Sequence, residues 1–587
     1  MKMSIQADEV LRLQRVALGK EAADLIVSGG TVLNVYTGEL LSNCEILVCG
    51  ERIAYVGPDQ GFPIGPETLR LDVRGQVVIP GLIDAHCHID YWMVLREFVA
   101  LALPRGVTTV ITETSEVANG MGIDGVREFV AKLPTYPLRI FATTPVITFL
   151  CALRTKKPAI SVSEMLEIIE YPEILGLGEV YWSRVVDGAL EEDLNTLVAK
   201  ARSLGKTVEG HGAGAKDGRL NAFVAYGVDS CHESINSEDV LARLRLGLAT
   251  MIREGSIRRE LETVVPDLTK LDIDLRRASL VSDDVWPHHL VKYGHMDYIV
   301  NKAIALGLNP IKAIQMATLN PAEHFHLDAD LGGIAPGKCA DLVVIPTIDK
   351  IDAQLVIIKG RLVARQGRLE IELPKEHHPV KFSQSLKLPT VAPEFFQITA
   401  TGTSARARII AMVTEIVNRE VLLEMPVHNG IVQLRDDILK IAVIDRFEGT
   451  GCKALGFIKG YGLRQGAVAI SASFDEGNAV VVGSNDLDMA IAINRLQELG
   501  GGMVYCCDGV VNAELALPVY GGLSTLAGPL VAEQLEFLIN TLQKMGCHTN
   551  NPLLTLITVT FTAIPSLRLT IRGYWRSKEN RIVDLFE

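Results

Sequence analysis

The chain lacks several features, and each absence removes a class of function. It has no Cys-x-x-Cys pair, no apolar run near the ~18 residues that span a bilayer, and no excess of positive charge. Its ten cysteines are scattered, and the adjacent Cys506 and Cys507 are a poor start for a disulfide framework. Reduced thiols in a cytoplasmic protein are the expectation. Residues 1–20 thread charges through their apolar positions, which reads as an amphipathic helix without the apolar core of a signal peptide. A formal net charge of −13 offers no basic face for a polyphosphate backbone. The short group Arg253, Arg258 and Arg259 reads as solvated helix and loop charge. Neither nucleic acid nor a membrane is an expected partner. Internal repeats and low-complexity tracts are also absent.

What is present is a globular balance. With 48% hydrophobic and 22% charged residues, long disorder is excluded, and 587 residues suggest about three or four folding units. The pattern predicts an α/β chain. Short strands over 24–27, 45–48, 52–56 and 76–79 are separated by Gly and Asn turns. Apolar strands over 83–88, 108–113, 139–144, 176–180, 207–211, 230–233, 249–253 and 280–283 then alternate with helical stretches such as 97–103, 163–171, 190–204, 220–226 and 238–246. Eight strands with helical crossovers predict one (β/α)8 TIM-type barrel over 80–326. The strand-like runs 355–358 and 361–364, with the turn-rich stretch before them, look like the missing half of the first β-unit. A discontinuous small β-sheet domain over 1–79 and 327–373 is therefore expected to flank the barrel. The proline-bearing stretch 374–394 reads as a linker. Residues 395–587 read as a further mixed α/β domain, with strands at 441–444, 467–471, 479–482 and 503–506 and helices at 486–498 and 529–546.

The chemistry concentrates at the C-terminal ends of the expected barrel strands. His86 and His88 are two residues apart on the first strand, so both can face one side of it. Glu179 ends the fourth strand, His211 the fifth, His232 and Glu233 the sixth, and Asp283 and Asp284 the eighth. Taken singly, each has a plain reading: a loop charge, a hydrogen-bonded core histidine, a helix cap. Their convergence on the barrel face where active sites collect favours a joint metal site. Four histidines and two carboxylates exceed the three protein ligands of a single catalytic zinc, so two metals bridged by Glu179 are expected. Such a pair lowers the pKa of a shared water toward neutrality, and Asp283 is placed to accept and return its proton. Glu233 is a candidate to orient His232 or to contact substrate. Glu113 and Glu116 lie at or just past the second strand's end, within reach of the pocket or in a solvated loop. His288, His289, His295, His324, His326, His377 and His378 lie off the strand ends and read as ordinary. The stretch Gly332-x-x-x-x-Gly337-Lys338 is followed by Cys339 and is preceded by a helix and a turn, so it reads as a β-turn and not as a phosphate loop.

The barrel pattern resembles the amidohydrolase superfamily and, within it, the adenine deaminase family. The resemblance is carried by Glu179 where many members have a carboxylated lysine, and by Gly176-Leu177-Gly178-Glu179-Val180. It is carried also by Leu244-Arg245-Leu246-Gly247 with Met251-Ile252-Arg253-Glu254-Gly255-Ser256, by Met316-Ala317-Thr318-Leu319-Asn320-Pro321-Ala322, and by Gly500-Gly501-Gly502. It spans nearly the whole chain, including a C-terminal domain of that family's type. The resemblance implies metal ligands His86, His88, Glu179, His211, His232 and Asp283. It implies two divalent ions, Mn2+ or Fe2+ ahead of Zn2+, a homodimer or larger assembly, and a purine base as substrate, adenine and water giving hypoxanthine and ammonia. Three stretches depart from the family. Thr114-Ser115-Glu116 stands for Pro-His-Glu, Asp283-Asp284-Val285-Trp286-Pro287 for Asp-Asp-Arg-His-Pro, and Phe474-Asp475-Glu476-Gly477-Asn478 for His-Asp-Ser-His-Asn. A pocket that loses histidine and gains Trp286 would suit an N6-substituted adenine such as N6-methyladenine. The rival readings are an amidohydrolase acting on another cyclic amide or amidine, and a non-catalytic binding protein of the same fold.

Overall fold

The computed structural model of the protein describes residues 6–146, 159–186, 191–471, 473–474, 476–562, 564 and 566–587. The barrel strands are apolar runs that are buried on both faces, as parallel strands under helical crossovers must be. Leu82–Cys87, Val107–Thr112, Arg139–Thr144, Ile174–Tyr181 and Thr207–His211 pair in that order as a five-stranded parallel arc. Ser230–Cys231, Ala249–Arg253 and Ala278–Val281 form a second parallel arc. Backbone hydrogen bonds join the arcs. The Asp229 N–H donates to the Val208 carbonyl at 2.8 Å, and on the far side Asp283 donates to His86 at 3.0 Å and His88 to Asp283 at 2.9 Å. The sheet therefore curls shut, and its last seam lies among the candidate metal ligands.

Strand edges shift slightly from the sequence expectation. The sixth strand is only Ser230–Cys231, so His232 and Glu233 stand in the loop beyond it. The eighth ends at Val281, and Asp283 follows with φ +59°, a left-handed conformation that Asp tolerates better than most residues. The helix expected over 190–204 runs from Glu191 to Ser203, and residue 190 lies outside the described residues. The amphipathic N-terminal helix is Ala7–Ala17; it sets Leu13 and Val16 against Leu47 and Cys49.

Segments before and after the barrel share one nine-stranded sheet. Leu342–Ile345 pairs antiparallel with Val77–Pro80, directly ahead of the first barrel strand. The buried Arg139–Asp341 ion pair, 2.9 Å, and the Gly81 N–H bond to the Asp341 carbonyl fasten this seam to the barrel. The stretch 374–394 is packed down, burying Phe382, Leu386, Leu388 and Val391. Beyond it lies a second nine-stranded sheet, mostly antiparallel, with Asp486–Leu499 packed on one face and Gly528–Lys544 and Pro552–Thr558 on the other. Its longest strands, Ser404–Met412 and Asn418–His428, were not anticipated from the sequence. The second of them is only partly buried and carries charges and Pro426, which blurs the alternation.

The C-terminal sheet is stitched to the loop that follows His86 and His88. Trp92–Met93 pairs in parallel with Leu523–Ser524, the Tyr520 hydroxyl donates to the Asp90 carbonyl at 2.5 Å, and the Gly528 N–H donates to Glu97 at 2.9 Å. No helix among the described residues is long and apolar enough to cross a membrane. Nine cysteines are described and all are free; Cys151 lies outside the described residues.

Candidate metal centre

The donors are brought together by local necessities of the strands. His86 and His88 extend from the end of the first barrel strand toward the barrel mouth. Between them and the eighth strand stands Asp84, fully buried, accepting the Ser282 hydroxyl at 2.5 Å and lying 3.2 Å from His295 Nε2. It fixes the first strand to the last. Around Glu179, Gly176 and Gly178 let neighbouring strands close in. A Cβ on Gly176 would meet the Thr207 carbonyl oxygen at 2.6 Å, and one on Gly178 would meet Glu113 at 2.3 Å and the Thr144 carbonyl at 2.5 Å.

The resulting geometry is two donor groups that share one carboxylate. His86, His88, Glu179 and Asp283 form one, and Glu179, His211 and His232 form the other; in each, the ligand atoms lie within 4.8 Å of one another. Glu179 Oε1 stands 3.3 Å from His86 Nε2, 3.4 Å from His88 Nε2 and 3.6 Å from His232 Nε2, while Oε2 stands 3.0 Å from His211 Nδ1. Asp283 Oδ1 is 3.5 Å from His86 Nε2 and 3.6 Å from His88 Nε2. His86 Nε2 is buried and makes no aligned hydrogen bond. Imidazole and carboxylate donors in this arrangement fit divalent cations.

Charge in the cluster is finely opposed. Burial works against a charged His86, yet the carboxylates of Asp283 and Glu179 hold its imidazole well above the ordinary histidine range. Burial likewise opposes charge on His88, and Glu179 outweighs it, raising His88 to about 10. His232 stacks on His86 with ring centroids 4.0 Å apart, and burial plus that neighbour push it down to about 3. The neighbouring charge thus favours a cation on His86 over one on His232. Burial tends to raise Glu179 and Asp283. The surrounding histidines overcome this at Glu179, and His86 with Arg253 overcome it at Asp283, so both stay below the usual carboxylate range. A floor of ionised carboxylates among imidazoles attracts cations.

The other expected residues divide. Glu233, Glu116 and Asp284 line the cavity above the donors. Burial raises Asp284 to about 7 against the pull of His88. Glu113 sits behind Glu179 and does not line the cavity; burial and the charge on Glu179 raise it to about 7. Trp286 is fully buried in the C-terminal core, 4.5 Å from the Trp92 ring, and reaches the cavity only through its indole N–H bond to Asp284 at 3.2 Å. Arg253 corrects the reading of solvated charge. It is 1% exposed and is clamped among Glu233, Asp283 at 3.1 Å and Glu260 at 3.1 Å. After the opposing effect of burial, it holds Glu233 down to about 2. Arg258 does reach the cavity wall. Of the histidines read as ordinary, His324 pairs with Glu209 at 3.0 Å, away from the donors.

The cavity encloses about 320 Å3. Its floor is the donor set. Its upper wall comes from the C-terminal sheet region and includes Ile416, Phe474, Phe561 and Ile564. Asp475, in the stretch that departs from the family, lies outside the described residues.

Comparison with known proteins agrees with this architecture. Residues 77–363 match the amidohydrolase family, and residues 415–581 match the adenine deaminase C-terminal domain. An adenine deaminase of Moorella thermoacetica is 38% identical over 99% of this chain and 98% of its own length. Adenine deaminase 3 of Rhizobium meliloti is 36% identical over 96% of each. Among solved structures, a β-aspartyl dipeptidase of Fervidobacterium islandicum AW-1 is 20% identical with a TM-score of 0.47, covering 59% of this chain and 99% of that one.

Proposed function

Because the chain belongs to the adenine deaminase family, hydrolases that act on C–N bonds, we propose that it removes the exocyclic amine of a purine base, converting adenine and water to hypoxanthine and ammonia. The observation that carries this reading is the sharing of Glu179 by two donor groups on the floor of a cavity. We assign His86, His88, Glu179, His211, His232 and Asp283 as ligands of two divalent cations, with Mn2+ or Fe2+ preferred and Zn2+ compatible with the same donor types. Cations bound there supply Lewis acidity that brings the pKa of water from 15.7 down to about 7.

The chain's own residues account for the rest. Against burial, His86 and Arg253, whose Nη1 lies 3.1 Å from Oδ2, keep Asp283 ionised, so its carboxylate can accept a proton from the attacking water. As the water oxygen bonds to C6, the C6–N1 π pair moves to N1 and the centre becomes tetrahedral. Asp283 returns the first water proton to the exocyclic nitrogen, the C6–N bond breaks with its electron pair on the departing amine, and the second water proton ends on N1, leaving the C6 carbonyl. Arg253 also holds Glu233 near His211 and His232, at 3.8 and 3.6 Å.

N6-substituted adenine, such as N6-methyladenine, fits the same chemistry with an amine as leaving group. The polar residues lost at Ser115 and Phe474 favour it. Family analogy supports a cytoplasmic homodimer or larger assembly. Six convergent donors weigh against a non-catalytic scaffold, and near full-length identity to adenine deaminases weighs against a different cyclic amide. The test is a purine panel on protein reloaded separately with Mn2+, Fe2+ and Zn2+, with release of ammonia or methylamine measured. Turnover of neither adenine nor N6-methyladenine under any metal would end the purine reading.

A further inference from the structure

The cavity has two unlike halves. Below lie imidazoles and carboxylates. Above, the C-terminal region contributes Ile416, Phe474, Phe561 and Ile564. Phe474 and Phe561 are half-buried, so each ring keeps an open apolar face although it belongs to a well-packed domain. The Phe561 ring centroid is 6.4 Å from that of His211 and 6.0 Å from that of Tyr181. The Phe474 ring is 6.4 Å from Phe561 and 6.2 Å from Tyr91. An aromatic surface therefore stands one ring away from a candidate metal ligand.

This surface is held in place. The Phe474 N–H donates to the Ile557 carbonyl at 2.9 Å, and the Thr560 hydroxyl donates to the Phe474 carbonyl at 2.8 Å, so the two segments that carry the rings are bonded to each other. Arg446, fully buried, donates to the carbonyls of Gly477 and Tyr520 and ties the same region to the strap that pairs with Trp92–Met93. The roof is a fixed wall.

We propose that Phe474 and Phe561 determine specificity, selecting purines that carry a small apolar substituent on the exocyclic nitrogen over adenine itself. The inference rests on the deamination reading above. Attack at C6 places that nitrogen at the boundary between floor and roof. The primary amine of adenine turns a second N–H toward the aromatic carbon of Phe474 and Phe561, a poor acceptor, and a buried donor without a good partner is penalised. An alkyl group in the same place is buried against the rings instead. One methyl or methylene in an apolar pocket is discriminated roughly 10–200-fold.

The test is kcat/KM for adenine and N6-methyladenine on Mn2+-loaded protein, with metal content and thermal melting recorded alongside. Wild type, Phe561→Ala, Phe561→Leu, Phe474→His and Phe474→Leu are compared. We expect a wild-type ratio of N6-methyladenine to adenine above one. Phe561→Ala and Phe474→His should lower it about tenfold or more, mainly by raising KM for N6-methyladenine, with metal content unchanged. The two Leu variants keep apolar bulk and should retain most of the preference, which separates lost selectivity from lost folding. A wild-type ratio below one, or a ratio unmoved in variants that melt normally, overturns the inference and leaves the deamination reading standing. Release of neither ammonia nor methylamine by wild type overturns both.

Discussion

The floor and the roof of the cavity are built from different parts of the chain by different kinds of residue. The floor is made of strand ends of the barrel, and its six donors are polar, buried or half-buried, and mutually constrained within a few ångströms. The roof is made of loops and a helix end between residues 416 and 564, beyond the last floor donor at 283, and its contribution is apolar surface. A floor residue acts on charge, so its loss should change metal content and kcat. A roof residue acts on shape and dryness, so its loss should change KM and selectivity. If substitutions in the two halves produced the same effects, this division would fail.

The largest effect is expected at the one carboxylate common to both donor groups. Glu179→Gln keeps the volume and removes the shared charge. Elemental analysis should find metal per chain falling toward zero, and kcat/KM should fall by more than the roughly 10^2–10^4-fold that a single general acid–base group contributes. Retention of full metal content would show that Glu179 is not the bridge. Next comes Asp283→Asn, which removes the proton acceptor but leaves His86, His88 and Glu179 together. Its kcat should drop about 10^2–10^4-fold with a smaller change in metal content. Unchanged kcat would exclude Asp283 from proton transfer.

Arg253→Met probes the border between the halves. It strands Glu233, Asp283 and Glu260 without their cation, and breaking a buried ion pair from one side costs about 3–5 kcal/mol. Bound metal offsets part of that charge. Urea unfolding should therefore show a larger loss of stability in metal-stripped protein than in metal-loaded protein. Equal losses in both would mean that Arg253 stabilises the fold independently of the floor.

The sequence made the floor legible and the roof almost invisible, for a physical reason. His86 and His88 lie two apart on a strand, and Glu179, His211, His232 and Asp283 each end or follow an apolar run. Alternation of strands and helices then places them on one face without any knowledge of contacts. Arg253 was misread because its partners lie 7, 20 and 30 residues away, whereas its visible neighbours in sequence are Arg258 and Arg259. Trp286 follows two candidate site residues closely, which drew it toward the pocket. Yet its indole packs on Trp92, and the C-terminal core closes over the pair once the distant domain docks. Phe474 and Phe561 carry no local signal at all, because an aromatic in a loop reads the same whether it faces core, solvent or substrate. The only hint was negative, the loss of a family histidine at position 474.

The smallest predicted effect tests whether roof and floor are separable at all. Tyr520 belongs to the C-terminal strap, and its hydroxyl donates to the Asp90 carbonyl, while Asp90 Oδ2 accepts the N–H groups of Glu116 and Val117 at 2.8 and 3.0 Å. This chain runs from the roof's anchor to the cavity residue Glu116 and bypasses the donors. Tyr520→Phe leaves the buried Asp90 carbonyl without that bond and should cost about 1–3 kcal/mol in urea unfolding. Metal content should stay at the wild-type value, because no donor is attached to Tyr520, and KM should rise at most severalfold as Glu116 loosens. Loss of metal in this variant would mean that docking of the C-terminal domain helps to assemble the metal centre itself. The floor would then no longer be a property of the barrel alone.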